Sequence, residues 1–284
     1  MTSASFTDPP LLRTLAQRHH LHIGGRGDDA IVFLHGFGAD QKVWRFVAPA
    51  FEATHRVVLF DHLGCGSSDM TAYGPRHDRL EAYAEDVVAL VEALGLQRVM
   101  LVGHSVGGVI AMMASLARPA LFSRLVLVST SPRFLDDPPA YSGGFQPADL
   151  QALFDLMHSD HFGWARMLAP MVVGEQGPQA LAREFEVALR TLDARSAGRF
   201  ARLAFYGDHR ALLPQVHTPA LVLHCLRDRI VPRAVASYLH QRLPDSRLLE
   251  LDADGHCPQL SHPALTIEAI RGHLAGPFSP AARR

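Results

Sequence analysis

Six short apolar runs constrain this chain most. They are residues 30–34 (AIVFL), 56–60 (RVVLF), 98–102 (RVMLV), 124–128 (RLVLV), 220–225 (ALVLHC) and 246–251 (SRLLEL). A run without polar alternation suits a strand covered on both faces, as in a parallel sheet. Helical patterns fall between several of them. Residues 80–94 carry Leu80, Tyr83, Ala84, Val87, Val88, Val91 and Leu94 at helical spacing. Residues 106–118 are small and apolar and stop before Pro119. Strands alternating with helices predict an α/β fold with a mostly parallel sheet.

The alternation breaks between Ser131 and Leu213, where the sequence shows helical periodicity and no convincing strand. Residues 149–157, 161–173, 178–189 and 194–206 are four helix candidates, flanked by the turn-rich SPRFLDDPPAYSGGF and LLPQVHTPA. This predicts a core of residues 1–131 and 214–284 with a helical insertion at 132–213 that closes over something. A second, independent domain is the alternative. The tail PFSPAARR reads as loose.

With 48% hydrophobic and 19% charged residues in 284, the chain can bury one large core without disulfides. A formal net charge of −1 gives no electrostatic case for nucleic acid or an anionic membrane surface. MTSASFTDPP lacks a basic region followed by an apolar stretch, so no secretory signal is read, and no apolar run is long enough to span a bilayer. Cys65, Cys225 and Cys257 are odd in number and widely spaced, which fits a reducing, cytoplasmic setting and no CxxC metal pattern. His19, His20 and His22 invite a metal reading. Their place before a Gly-rich turn, without nearby acidic or Cys partners, favours an early strand instead.

RVMLVGHSVGG, residues 98–108, places Ser105 between glycines directly after an apolar run. G-x-S-x-G alone is weak. A buried strand entering and a small-residue helix leaving make it a strand–elbow–helix, which exposes the serine at the carboxyl end of a sheet. A hydroxyl needs a base, and the base needs an acid to orient it. In the order Ser, Asp, His, the fifth run leads to Asp228 in HCLRDRIVP and the sixth to His256 in DADGHCPQLSHP. Asp252 and Asp254 lie too near His256 in sequence and read as shaping its loop. Asp61 reads as a partner within the turn DHLGCGSSD. A tetrahedral intermediate needs two donors for its oxyanion. The N–H of Val106 follows the serine, and that of Phe37 sits in HGFG after the first run. HGFG alone reads equally as an ordinary glycine turn; in order with the other elements it reads as the oxyanion loop.

HGF, DHLGCGSSD, GHSVGG, RDRIVP and DGHCPQL, in this order, resemble the α/β-hydrolase fold. GFGADQKVW, SPRFLDDPPAYSGGF, WARMLAP and GHCPQLSHP further resemble its RsbQ-type subfamily, which includes a bacterial stress-signalling hydrolase and the plant karrikin and strigolactone receptors. The resemblance runs from about Gly25 to His273. It implies a four-helix, V-shaped lid over an apolar pocket, a triad of Ser105, Asp228 and His256, and oxyanion donors at Phe37 and Val106. It implies a pocket involving Phe37, Phe134, Phe145, Leu153, Trp164, Leu168, Phe185 and Phe205, with Ile230 near the acid. The plain reading of these side chains is lid core. Two positions depart from the subfamily. Arg229 follows the acid where an apolar residue is usual; it reads either as a cation near the pocket or partner surface or as a solvated loop charge. Phe134 stands where the plant karrikin receptors have Tyr.

The function expected is a serine esterase or lactonase acting on a small, mostly apolar ester or lactone through an acyl-enzyme, with no metal or organic cofactor. A C–C bond hydrolase can use the same triad. The alternative is a slow-turnover signalling hydrolase or receptor that acts through a regulatory protein partner at the lid, as a neighbouring gene for a PAS-containing phosphatase would indicate. Truncating Trp164 or Phe185 is expected to alter substrate binding more than thermal stability.

Overall fold

The computed structural model describes residues 9–175 and 177–276. Both the N-terminal stretch read for a leader and the tail PFSPAARR fall largely or wholly outside them. The described elements run, in chain order, α1 (Pro9–Arg18), β1 (His22–Gly25), β2 (Ala30–Leu34), β3 (Arg56–Leu59), α2 (Glu81–Ala93), β4 (Val99–His104), α3 (Val106–Ala117) and β5 (Phe122–Val128). Next come α4 (Pro147–Ser159), α5 (His161–Val173), α6 (Gln179–Arg190) and α7 (Ala194–Tyr206). The chain then forms β6 (Ala220–Arg227), α8 (Arg233–Arg242), β7 (Ser246–Asp254), α9 (Pro258–Ser261) and α10 (Pro263–Ala275).

The strands form one seven-stranded sheet in the order β1-β3-β2-β4-β5-β6-β7. Every residue of β2 and β4 is buried, so both faces of these central strands are covered. All pairings are parallel except β1 with β3. The early strand near the histidine cluster is thus a short antiparallel edge. His19 and His20 precede it, each with its ring Nδ1 within hydrogen-bond distance of Asp61. The periodicity gave no sign of α1.

Register aligns the carboxyl ends. Leu34 pairs with Gly103, His104 with Val128, Val128 with Leu223, and Arg227 with Asp254. The segments that leave β2, β4, β6 and β7 therefore emerge at one edge of the sheet, where open α/β sheets carry ligands.

Between β5 and β6 the expected helices are present within about two residues of the predicted bounds. Local chemistry sets their starts. Gln146 and Asp149 form a reciprocal capping box before α4. The Asp160 carboxylate accepts the Gly163 N–H at 2.8 Å and the Asp193 carboxylate accepts the Ser196 N–H at 2.9 Å, opening α5 and α7. Among the described residues no helix is long and apolar enough to cross a membrane.

Candidate active site

Ser105 is the residue between β4 and α3, with φ 55° and ψ −124°. That left-handed φ is costly for a residue with a Cβ and is held by its surroundings. The Ser105 N–H donates to the Val128 carbonyl at 2.8 Å, continuing the β4–β5 ladder. Gly103 and Gly107 make the elbow possible. A Cβ on Gly103 would lie 2.4 Å from the Gly107 oxygen, and one on Gly107 2.6 Å from the His35 oxygen. The turn is closed so tightly that only glycine fits at either position.

The loop after β2 lies against this elbow. A Cβ on Gly36 would meet the Ser105 Cβ at 3.0 Å. Among the described residues no hydrogen bond engages the N–H of Phe37 or of Val106. Val106 is the first residue of α3, so its N–H also sits at the positive end of that helix.

Asp228 follows β6, and its carboxylate is fully buried. One oxygen accepts the N–H groups of Ile230 and Val231 at 2.8 and 3.0 Å. The other lies 2.8 Å from Nδ1 of His256, which follows β7. A buried carboxylate beside Nδ1 fixes the proton there and leaves Nε2 with its lone pair. Asp252, one of the two rivals close to His256 in sequence, instead pairs with Arg227 at 2.6 Å. Asp61 serves its own turn, accepting the Ser67 N–H at 2.8 Å and the Gln41 N–H at 2.9 Å. Among the described residues no hydrogen bond joins the Ser105 hydroxyl to His256. Such bonds are commonly long without substrate and tighten on binding.

Three contacts around this constellation had no clear sequence signal. The N–H groups of His256 and Cys257 both donate to the Val172 carbonyl near the end of α5, at 2.8 and 3.0 Å. Gly255, at φ 90°, lets that approach happen: a Cβ there would sit 2.5 Å from the Val173 carbonyl. The inserted helices thus hold the His256 loop directly. His104, beside the serine, places Nε2 3.0 Å from the His256 carbonyl oxygen, with the two rings 4.8 Å apart. His35 holds the loop after β2 through the Gly36 carbonyl and the His62 N–H.

Residues 29–263 match the alpha/beta hydrolase fold family. The chain belongs to the α/β-hydrolase family. It is 37% identical to the Karrikin insensitive 2 receptor CA of Petunia hybrida, over 91% of this chain and 96% of that one. To the strigolactone esterase D14 of Arabidopsis thaliana it is 36% identical, over 90% and 96% respectively. The structure of a hydrolase from Oleispira antarctica superposes with a TM-score of 0.91 at 34% identity, covering 94% of this chain and 98% of that one.

In this α/β hydrolase the side chains expected to form a pocket divide into groups. The Phe37 ring lies 6.1 Å from Trp164 and 5.8 Å from Phe205. Phe205 in turn lies 4.8 Å from Phe134 and 6.3 Å from Phe145. These rings from the β2 loop, α5, α7 and the segment after β5 form one aromatic cluster around Phe37. Leu168 and Ile230 are buried and Leu153 is partly buried against the core. Phe185 lies elsewhere, on a cavity of about 580 Å³ bordered by Gly38, Cys65, Leu181 and Leu260. Neither Ser105 nor His256 lines that cavity.

Trp164 is deeply buried. Its side chain is 1% exposed and stacks on His161 at 5.3 Å. Truncating so buried a ring leaves a void, so Trp164→Ala is expected to cost about 3–5 kcal/mol, a fall in Tm of roughly 6–20 °C. Thermal melting checks this. Arg229 pairs with Glu175, and both are more than half exposed.

Proposed function

We propose that the chain is a serine carboxylic ester hydrolase, an esterase or lactonase, acting on a small and mostly apolar ester or lactone. Ser105 is the nucleophile, His256 the general base and acid, and Asp228 the group that orients His256. The observation that carries this reading is the 2.8 Å contact between buried Asp228 and His256 Nδ1. It belongs to the same sheet edge as a serine strained at φ 55°. In the first step His256 Nε2 takes the Ser105 proton as the hydroxyl oxygen attacks the substrate carbonyl. The oxyanion that forms accepts the N–H groups of Phe37 and Val106. As the tetrahedral centre collapses, His256 returns the proton to the leaving oxygen, and Asp228 stabilises the transient imidazolium. Water then attacks the acyl-enzyme by the same route in reverse. In a lactone the leaving alcohol stays tethered to the acyl group.

The aromatic cluster around Phe37, with Phe134, Phe145, Trp164 and Phe205, favours an apolar substrate; Leu153, Leu168 and Ile230 complete the proposed lining, and Phe185 would line it only through the cavity beside Gly38. Residues 132–213 are read as the helical lid of a core made by 1–131 and 214–284. The Val172 carbonyl on His256 ties lid to triad. The three buried, unpaired thiols suit a reducing, cytoplasmic setting.

A panel of short acyl p-nitrophenyl esters and lactones, followed by mass spectrometry of the intact protein, tests the reading. An acyl mass increment that maps to Ser105 is expected. Hydrolysis with every adduct mapped elsewhere would sink it. The same panel separates a second reading, which the similarity to a karrikin receptor favours: a slow-turnover signalling hydrolase with a protein partner at the lid. That reading expects one equivalent of product followed by a persistent adduct. The first expects many turnovers.

A further inference from the structure

We infer that His35 is a positioning residue that aims the Phe37 N–H by holding the opposite end of the same peptide unit. The inference rests on the hydrolase reading above, in which that N–H receives the oxyanion. His35 follows β2 and is 0% exposed. Its Nε2 lies 3.0 Å from the backbone nitrogen of His62. An amide N–H only donates, so Nε2 carries a lone pair and no proton. The single proton of the neutral ring therefore sits on Nδ1. That nitrogen is 2.9 Å from the carbonyl oxygen of Gly36 and donates to it. Burial favours the neutral ring that this pattern demands. The ring is further fixed against His62, at 4.5 Å between centroids.

The Gly36 carbonyl and the Phe37 N–H belong to one planar trans peptide, and they point in opposite directions. A tether on the oxygen is therefore a tether on the N–H. The peptide needs one, because it turns about ψ of Gly36, a residue without a Cβ, in a loop where Gly38 stands at φ 73°. The glycine on its N-terminal side makes its rotation easy. Gly36 has no side chain of its own to steady it, and none would fit: a Cβ there would lie 2.8 Å from His104 Nδ1. Phe37 is anchored at its ring by the aromatic cluster. His35 anchors the peptide group that precedes it.

Two substitutions separate the ring's two hydrogen bonds. In His35→Gln the longer amide reaches the Nε2 position, keeps an acceptor for the His62 N–H and loses the donor to Gly36. In His35→Asn the shorter amide sits near Nδ1, keeps that donor and loses the acceptor. Steady-state kinetics on p-nitrophenyl acetate and thermal melts are read for both, with Ser105→Ala alongside. His35→Gln is expected to lower kcat roughly 100-fold with KM changed less than about 2-fold, the signature of a displaced transition-state donor. His35→Asn is expected to stay within about 5-fold of the parent kcat. Parental kcat in His35→Gln overturns the inference. So do losses in the two variants that simply follow their melting temperatures. Should His35→Gln fail to fold, a folded His35→Asn with kcat down roughly 100-fold overturns it equally. Full activity in Ser105→Ala removes the hydrolase reading itself, whatever the His35 variants do.

Discussion

Ser105→Ala is expected to lower kcat on short p-nitrophenyl esters by at least about 10,000-fold while leaving the fold in place. The chemistry explains the size of the effect. Without the hydroxyl no acyl-enzyme forms, and His256 has no proton to move. On the proposed mechanism what survives is the binding site and the two backbone donors at Phe37 and Val106, which alone would supply a small residue of rate enhancement. The backbone explains why the fold survives. Ser105 holds φ 55° with a Cβ already present, and alanine brings the same Cβ into the same conformation. The elbow depends on its glycines at 103 and 107 and on the Ser105 N–H to Val128, none of which the substitution touches. Tm is expected to move by less than about 3 °C, the shift that roughly 1 kcal/mol gives in a chain of this size. Activity equal to the parent in this variant would reject Ser105 as nucleophile. A large fall in Tm together with lost activity would instead make the hydroxyl structural.

Much of the site was legible because it lies where strands end. An apolar run that stops at a polar residue marks both a buried strand and the edge it points to. Asp228 and His256, which the structure brings to 2.8 Å, could thus be assigned to the sheet edge that carries Ser105 before any geometry was known. The helices between β5 and β6 were legible for a similar reason: their periodicity is strong, and Asp160 and Asp193 mark their starts. The contacts that fix the polar groups were not legible. Val172 reaches His256 through a carbonyl, which every residue possesses, so no side-chain pattern announces it. His35 and His104 look like two of the 17 histidines in the chain. Their roles follow from which ring nitrogen faces a carbonyl, a matter of distances between segments remote in sequence. Phe185 was grouped with the other aromatics by resemblance to the subfamily, which assigns a position without saying what its side chain meets in this chain. Arg229 was ambiguous because its partner, Glu175, comes from the inserted helices, 54 positions away.

Between pH 7.5 and 5 the protein is expected to lose several kcal/mol of stability, with histidines rather than carboxylates as the cause. Burial lowers the pKa of His19, His35, His62, His104, His209, His224 and His273, the last to about 4. In the unfolded chain each returns to about 6.5. Above that value neither state binds the proton, and stability is at its full level. Below it the unfolded chain takes up protons that the fold excludes, and stability falls as pH falls, by up to about 1.4 kcal/mol per pH unit for each such histidine. Carboxylates act in a lower window. Asp208, held down by hydrogen bonds from Arg210 and Arg133, and Glu250, held down by Arg233, keep their contribution until the pH nears their unfolded values of about 4. His62 isolates the effect. Among the described residues neither of its ring nitrogens has a hydrogen-bond partner. The ring sits 4.5 Å from His35, 5.2 Å from Phe60, 5.8 Å from Tyr83 and 6.1 Å from Phe200. Besides burial, the neighbouring His35, His19 and His77 disfavour its protonation. Phenylalanine keeps the ring and its apolar contacts, leaves the His62 backbone bond to His35 in place and removes the titration. Urea unfolding at pH 7.5 and pH 5 is the measurement. The parent should lose up to about 2 kcal/mol more than His62→Phe between the two conditions. Equal losses would mean that His62 accepts its proton inside the fold, and the argument from its burial would fail.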